Sequence, residues 1–235
     1  MLQLKNYNSS ILKNINFQLK AEQNLIILGS NGAGKSTLAR LLCGITPAPT
    51  LLNNQYLSKM NPTQRTKEIN YIPPKLEIFD EYITLNEYLD LSRLYSLLEP
   101  NNLIKLLELE KLKGKPCQEL SSGEQQLTMI ATAILHNAKI TIFDEPTANL
   151  DPKKSRDIFS LLKSNICQTK IIITHDLNLA CHLGYDVMFM KEGKIDFFDS
   201  SEAFFTESNL DHYFGSSVKI IEEGNRSTIT IKLTN

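Results

Sequence analysis

The sequence predicts an α/β fold: a mostly parallel sheet, an antiparallel β subdomain at the N-terminus and a helical subdomain inserted midway. Three observations lead there. The apolar, β-branched run Leu25-Ile26-Ile27-Leu28 enters a glycine-rich stretch, and helix-forming Thr37-Leu38-Ala39-Arg40-Leu41-Leu42 follows it. Two more short apolar runs, Ile140-Thr141-Ile142-Phe143 and Lys170-Ile171-Ile172-Ile173-Thr174, flank the helix-like segment 153–164. Strands alternating with helices imply parallel pairing. Between residues 75 and 135 the texture becomes helical.

In chain order, Leu2-Gln3-Leu4-Lys5 and Ile15-Asn16-Phe17-Gln18-Leu19 alternate apolar and polar residues, as antiparallel strands with one buried face do. Tyr7 falls in the loop between them. Gly29-Ser30-Asn31-Gly32-Ala33-Gly34-Lys35-Ser36-Thr37 then reads G-x-x-x-x-G-K-[ST], in the strand–loop–helix context the pattern requires. Its glycines let the backbone curl around an anion and present successive N–H groups. Lys35 adds a point charge for the β and γ phosphates, and the helix N-terminus adds its dipole. Ser36 can place a hydroxyl on Mg²⁺. That chemistry fits a nucleoside triphosphate held on a phosphate-loop (P-loop) NTPase core.

A turn-rich stretch, Thr46-Pro47-Ala48-Pro49-Thr50, and a polar segment to Glu68 come next. Ile69-Asn70-Tyr71-Ile72 is a short strand stopped by Pro73-Pro74. Thr84 caps a helix carrying Leu85, Tyr88, Leu89, Ser92, Tyr95 and Leu98, with Glu87 at the capping-box position. Pro100-Asn101-Asn102 breaks it, and a second helix starts at Leu103 and ends at Gly114-Lys115-Pro116. A third starts near Ser122 and carries Leu127, Ile130, Ala131, Ile134 and Leu135. Asp186-Val187-Met188-Phe189-Met190 and Lys194-Ile195-Asp196-Phe197-Phe198 form a hairpin about Glu192-Gly193. The tail forms another, Val218-Lys219-Ile220-Ile221 with 227–233 about Gly224-Asn225. One domain, 1–235, thus divides into a nucleotide-binding core (1–74 and 136–215), a helical subdomain (75–135) and a C-terminal hairpin (216–235).

Composition sets limits. Hydrophobic content of 42% and charged content of 22% are those of an ordinary globular chain. A net charge of −1, from 25 basic and 26 acidic residues, argues against a general nucleic-acid binder. There is no apolar run long enough to span a membrane, and the N-terminus lacks a signal-peptide core. Cys43, Cys117, Cys167 and Cys181 are scattered without a C-x-x-C pair, which suits a reduced, cytoplasmic setting. His175, Cys181 and His182 have no second cluster to complete a metal site, so the thiols read as buried.

The apolar strand at 140–143 ends in Asp144 and Glu145. Asp144 can hold Mg²⁺ opposite Ser36. Glu145, one residue on, points elsewhere and can take a proton from an attacking water.

The segments around this pair resemble a known family. Leu120-Ser121-Ser122-Gly123-Glu124-Gln125-Gln126 is similar to the LSGGQ signature of ATP-binding cassette (ABC) ATPases. Ala148-Asn149-Leu150-Asp151 resembles the family's D-loop, and Thr174-His175-Asp176 its switch histidine. The motifs stand in the family's order across nearly the whole chain. The resemblance implies ATP and Mg²⁺ as cofactors and a head-to-tail homodimer, each ATP lying between one copy's phosphate loop and the other's signature. Ser121, Ser122, Gly123 and Glu124 would close over the γ-phosphate. His175 would contact that phosphate and orient the water, and Asp151 would cross the interface. Tyr7 is placed like the aromatic residue that stacks on adenine. Two departures stand out: Ser122 replaces the usual first glycine of the signature pair, and Pro74 stands where the family usually has glutamine. Proline has no side-chain donor or acceptor, so Lys75 or a water substitutes, or coupling is altered.

Within the family, the chain resembles the ATPase subunit of bacterial importers. Thr84-Leu85-Asn86-Glu87-Tyr88-Leu89, Thr174-His175-Asp176-Leu177-Asn178-Leu179-Ala180 and Tyr213-Phe214-Gly215 lean toward the group serving iron-siderophore, haem or cobalamin permeases. Zinc or manganese, molybdate, and a soluble non-transport ATPase such as an iron–sulfur assembly component are the alternatives. The resemblance implies integral-membrane permease partners, indirectly an extracytoplasmic substrate-binding protein, no nucleic acid, and a peripheral place on the cytoplasmic face of the inner membrane. Ile78, Phe79, Tyr82 and Ile83 are expected either to receive a permease helix or to be core.

Overall fold

The computed structural model describes residues 1–148, 150–165, 167–215, 217–223 and 226–231. Asn149 of the D-loop stretch, the Gly224-Asn225 turn and the residues after 231 lie outside them.

The N-terminal strands β1 (Leu2–Tyr7) and β2 (Ile15–Leu19) pair antiparallel. After β3 (Leu25–Gly29) and α1 (Lys35–Leu42), the short strands β4 (Leu51–Leu52) and β5 (Gln55–Tyr56) complete a four-stranded sheet, ordered β2-β1-β4-β5. Tyr7 is therefore not in a loop: it ends β1, opposite Ile15, and is half-buried. The expected alternation holds in β2 and fails in β1, where Gln3 is buried with its neighbours Leu2 and Leu4. β1 is an inner strand, paired with β2 on one side and β4 on the other.

Helix α2 (Pro62–Glu68), capped by Asn61 with Pro62 in its first turn, leads into β6 (Ile69–Ile72). Three helices follow: α3 (Leu85–Ser92), α4 (Pro100–Leu106) and α5 (Ser122–His136). Thr84 and Glu87 do form a capping box, but α3 stops at Ser92, short of Tyr95 and Leu98. The Ser92 hydroxyl bonds back to the Tyr88 carbonyl, and the N–H groups of Leu94 and Ser96 turn to the Leu135 carbonyl at the end of α5. Pro100, expected to break a helix, instead starts α4, where its missing N–H costs nothing. α4 then ends at Leu106, well before Gly114.

The remaining elements are β7 (Ile140–Asp144), α6 (Pro152–Lys163), β8 (Thr169–Ile173), α7 (Leu177–Leu183), β9 (Asp186–Lys191), β10 (Lys194–Asp199), α8 (Ser201–Phe204), α9 (Glu207–Phe214), β11 (Val218–Glu223) and β12 (Arg226–Ile231). A six-stranded sheet runs β10-β9-β3-β8-β7-β6, parallel throughout except for the edge strand β10. β11 and β12 pair as a separate hairpin.

The parallel sheet is buried on both faces, which explains its unbroken apolar runs. Ile26 and Leu28 of β3, Phe143 of β7 and Ile172 of β8 face a core shared with the helices α3 to α7. Leu25 and Ile27, Ile140 and Ile142, and Ile171 and Ile173 face the opposite core, shared with α1 and the N-terminal sheet. Asn178 clips the C-terminal hairpin to α7: its amide accepts from the Ile229 N–H (2.7 Å) and donates to the Ile229 carbonyl (2.9 Å).

Candidate functional site

The sheet order gathers the chemically distinctive residues at the carboxyl ends of parallel strands, where ligands bind in open α/β sheets. Ile27 of β3 pairs with Ile173 of β8, and Ile173 pairs with Asp144 of β7. The glycine loop after β3, His175 after β8 and the Asp144-Glu145 pair therefore lie side by side.

The loop is held close to the sheet by glycine. Gly29 has φ +148°, and a Cβ there would lie 2.3 Å from the Met190 carbonyl oxygen of β9. Gly34 caps α1 in the left-handed region, with φ +97°. The Ala33 carbonyl accepts from the Gly193 N–H (3.2 Å), pinning the loop to the β9–β10 turn. Ser30, Asn31 and Gly32 are exposed, Ala33 is buried, and Ser36 and Thr37 are half-buried. Lys35 folds back over the loop and donates to the carbonyls of Gly29 (2.8 Å) and Ser30 (3.1 Å). Burial pushes its pKa down, while the charges of Glu145 and then Asp144 push it up. Both carboxylates thus act on the Lys35 ammonium. Backbone N–H groups at a helix start, beside a cation, suit a polyphosphate.

Asp144 is 2% exposed, and its Oδ2 accepts from the Tyr71 hydroxyl at 2.7 Å. No other hydrogen bond to its carboxylate is formed among the described residues. A carboxylate oxygen and a serine hydroxyl are hard donors of the kind that Mg²⁺ prefers, so the chemistry of Asp144 and Ser36 fits that ion. Among the described residues, no group of three His, Cys, Asp or Glu side chains makes another metal site.

Glu145 turns away from Asp144 because it leaves the strand in the left-handed region, with φ +52°. Its N–H donates to the Ile173 carbonyl (2.9 Å), which holds it against the end of β8. His175 Nδ1 lies 2.9 Å from Glu145 Oε2. A carboxylate only accepts, so Nδ1 carries the hydrogen, and Nε2 is left facing outward on an exposed ring. A histidine that orients a carboxylate through one nitrogen, its other nitrogen an acceptor, can position a water beside a phosphate.

The signature-like turn and Asp151 sit apart from this edge, at helix starts. Ser121 caps α5 and exchanges hydrogen bonds with Glu124: the Ser121 N–H donates to Glu124 Oε2 (2.8 Å), and the Glu124 N–H donates to the Ser121 hydroxyl. Glu124 also pairs with Lys115 at 3.6 Å. Its carboxylate is therefore engaged within its own helix start. Ser122 is exposed and Gly123 is buried against Lys154 and Leu150. Asp151 is exposed and caps α6, accepting from the Lys154 N–H (3.0 Å). No hydrogen bond or ion pair joins Ser121, Glu124 or Asp151 to the glycine loop among the described residues.

Two residues outside the sequence-based set join the site's frame. Tyr71 binds Asp144, and Gln126 of α5, 6% exposed, donates from Nε2 to the Pro74 carbonyl at 2.9 Å. Gln126 had a signal, a polar side chain beside the apolar stripe of α5; Tyr71 had none without the β6–β7 register. Ile78, Phe79, Tyr82 and Ile83 divide into two kinds. Ile78 and Ile83 pack on the core, whereas Phe79 and Tyr82 are 97% and 83% exposed. No helix among the described residues is long and apolar enough to cross a membrane.

A sequence model of the ABC transporter family matches residues 12–148. An ABC transporter ATP-binding protein from Clostridium tetani is 29% identical over 198 residues, which is 79% of this chain and 44% of that relative, so the chain spans less than half of its length. The zinc import ATP-binding protein ZnuC of Buchnera aphidicola subsp. Schizaphis graminum is 32% identical over 173 residues, 72% of this chain and 69% of ZnuC. Among solved structures, cbiO1 from Clostridium perfringens, part of the ABC transporter complex cbiONQ, is similar with a TM-score of 0.72 and 27% identity. That likeness covers 90% of this chain and 92% of the other.

Proposed function

Since the chain belongs to the ABC transporter family, we propose that it is the ATP-hydrolysing motor subunit of a bacterial importer, working as a head-to-tail homodimer beneath membrane permease subunits. The observation that carries this reading is the meeting of the Lys35 loop, Asp144 and the Glu145–His175 pair at one sheet edge, with the signature turn held elsewhere. One copy supplies the loop and the two carboxylates; Ser121, Ser122 and Gly123 of the second copy close the site from outside. Asp151, exposed beside the signature turn, crosses between copies.

Each residue then has a task. The loop N–H groups of 29–37 and Lys35 bind the phosphates, which compete with the Gly29 and Ser30 carbonyls for the ammonium. Tyr7, half-buried at the end of β1, offers its exposed part to the adenine. Glu145 accepts a proton from the water that attacks the γ-phosphorus, as the bond to the β–γ bridging oxygen breaks and ADP leaves. His175 holds Glu145 through Nδ1–H, while Nε2, the acceptor of that tautomer, orients the water beside the γ-phosphate. Ser36 and Asp144 would hold Mg²⁺, which when bound would supply positive charge to offset that of the phosphates. Glu124, engaged in its capping box, acts by shaping the signature turn.

Cargo is set by the permease and an extracytoplasmic binding protein. The segments at 84–89, 174–180 and 213–215 support a metal chelate such as an iron-siderophore, haem or cobalamin. The likeness to a zinc import protein favours a second reading, a zinc or manganese importer. Either places the chain peripherally on the cytoplasmic face of the inner membrane.

Phe79 and Tyr82 stand out of the fold among Asp80, Glu81 and Glu87, and offer apolar anchors in an acidic rim to a permease's cytoplasmic helix. Phe79→Asp should lower recovery of a polytopic permease from detergent-solubilised membranes by at least about tenfold. Basal ATPase activity should stay within about twofold, because an exposed side chain contributes little to the fold. Unchanged permease recovery removes Phe79 from the interface. Recovery of water-soluble partners only, with the ATPase active, favours the non-transport reading.

A further inference from the structure

Pro74 leaves the loop after β6 without the side chain through which the family usually touches the metal, yet this loop is tied down at both ends. At one end, Tyr71 pairs with Ile142 in the β6–β7 register, and Asp144 lies two residues beyond Ile142 on the same face. That diagonal is within reach of a long side chain. The phenol spans it and donates to Asp144 Oδ2 at 2.7 Å. At the other end, buried Gln126 of α5 donates to the Pro74 carbonyl at 2.9 Å. Between them lie Ile72, paired with Phe143 in the sheet, and two prolines whose φ angles are fixed. The connection is short and stiff.

We propose that Tyr71 is a positioning residue for the Asp144 carboxylate, and that the segment from Tyr71 to Pro74 links that carboxylate to the signature helix through Gln126, in place of the absent glutamine side chain. The inference rests on Asp144 as the magnesium carboxylate. A carboxylate that is 2% exposed needs a partner for each oxygen that faces protein, and Tyr71 is the one given to Oδ2. With Oδ2 held, the side-chain torsions of Asp144 are restricted. A carboxylate only accepts, so the phenol is the donor of this pair. Outer partners of this kind orient ligands and tune metal affinity.

Manganese titration followed by electron paramagnetic resonance, on the full chain with a non-hydrolysable ATP analogue, separates the possibilities. Tyr71→Phe should weaken Mn²⁺ binding by roughly 10–100-fold, the range for a lost outer partner. Its nucleotide affinity in EDTA and its circular dichroism should match the wild type. Gln126→Leu should weaken Mn²⁺ binding less, and the double variant should be no worse than Tyr71→Phe alone, because both act along one path. Wild-type Mn²⁺ affinity in Tyr71→Phe overturns the proposal, and simple additivity in the double variant removes Gln126 from it. Asp144→Asn is the control. If it too binds Mn²⁺ normally, the metal assignment of Asp144 fails, and the proposal with it; if only Asp144→Asn is impaired, the assignment stands and Tyr71 is structural.

Discussion

Replacing Glu145 by glutamine is expected to lower ATP turnover by roughly 10²–10⁴-fold, the usual worth of a general base, while leaving nucleotide affinity within a few-fold. Glutamine keeps the shape of the side chain, and its carbonyl oxygen can still accept from His175 Nδ1, so the pairing seen at 2.9 Å survives. What is lost is the ability to take a proton. ATP then binds without being consumed, and the two-copy state it stabilises should accumulate. Sedimentation velocity with Mg-ATP should show a dimer for Glu145→Gln and mainly monomer without nucleotide. Turnover close to wild type would move the base elsewhere; a monomer in saturating Mg-ATP would count against the shared site.

Lys35→Met should reduce Mg-ATP affinity by roughly 10–100-fold, because hydrogen bonds from a charged donor are each worth about 1.5–3 kcal/mol. Methionine fills the space of the aliphatic stem, which is largely buried, and removes the cation. The Gly29 and Ser30 carbonyls that it serves lie at the start of the loop, and Ser30 is open to water, so the fold should survive the change. Calorimetric titration checks the affinity, and thermal melting checks the fold. Unaltered Mg-ATP affinity in a folded Lys35→Met protein would separate the loop from phosphate binding.

The elements that could be read from residues alone were those with a strong local signal. The glycine loop announced itself because only glycine tolerates the approach of Gly29 to the Met190 carbonyl, and the strands of the parallel sheet because burial on two faces forces continuous apolar runs. α2 was missed because none of its residues is buried, so it carries no apolar period. The end of α3 and the start of α4 were misplaced for a different reason. Which carbonyl takes the Leu94 N–H depends on where α5 lies, a tertiary fact, and Pro100 reads equally as a breaker or as a first-turn residue.

The site shows the same division. Lys35, Asp144 and Glu145 carry motifs, and His175 and the signature turn were legible through resemblance to a family. That His175 meets Glu145 follows from β7 and β8 being neighbours, which spacing along the chain does not state. Tyr71 carries no signal in sequence, and Gln126 only that of a polar side chain beside an apolar stripe. Their place is fixed by strand register and by the packing of α5 on β6, so only the fold reveals that each donates to a group at the edge of the site.

Specific ATPase activity measured over a wide dilution series of the wild-type chain in Mg-ATP tests the central claim most directly. If each site is completed by a second copy, activity per subunit rises with protein concentration and levels off as the dimer forms. Activity that is present but independent of concentration would contradict a shared site, and the absence of magnesium-dependent hydrolysis at every concentration would contradict the motor itself.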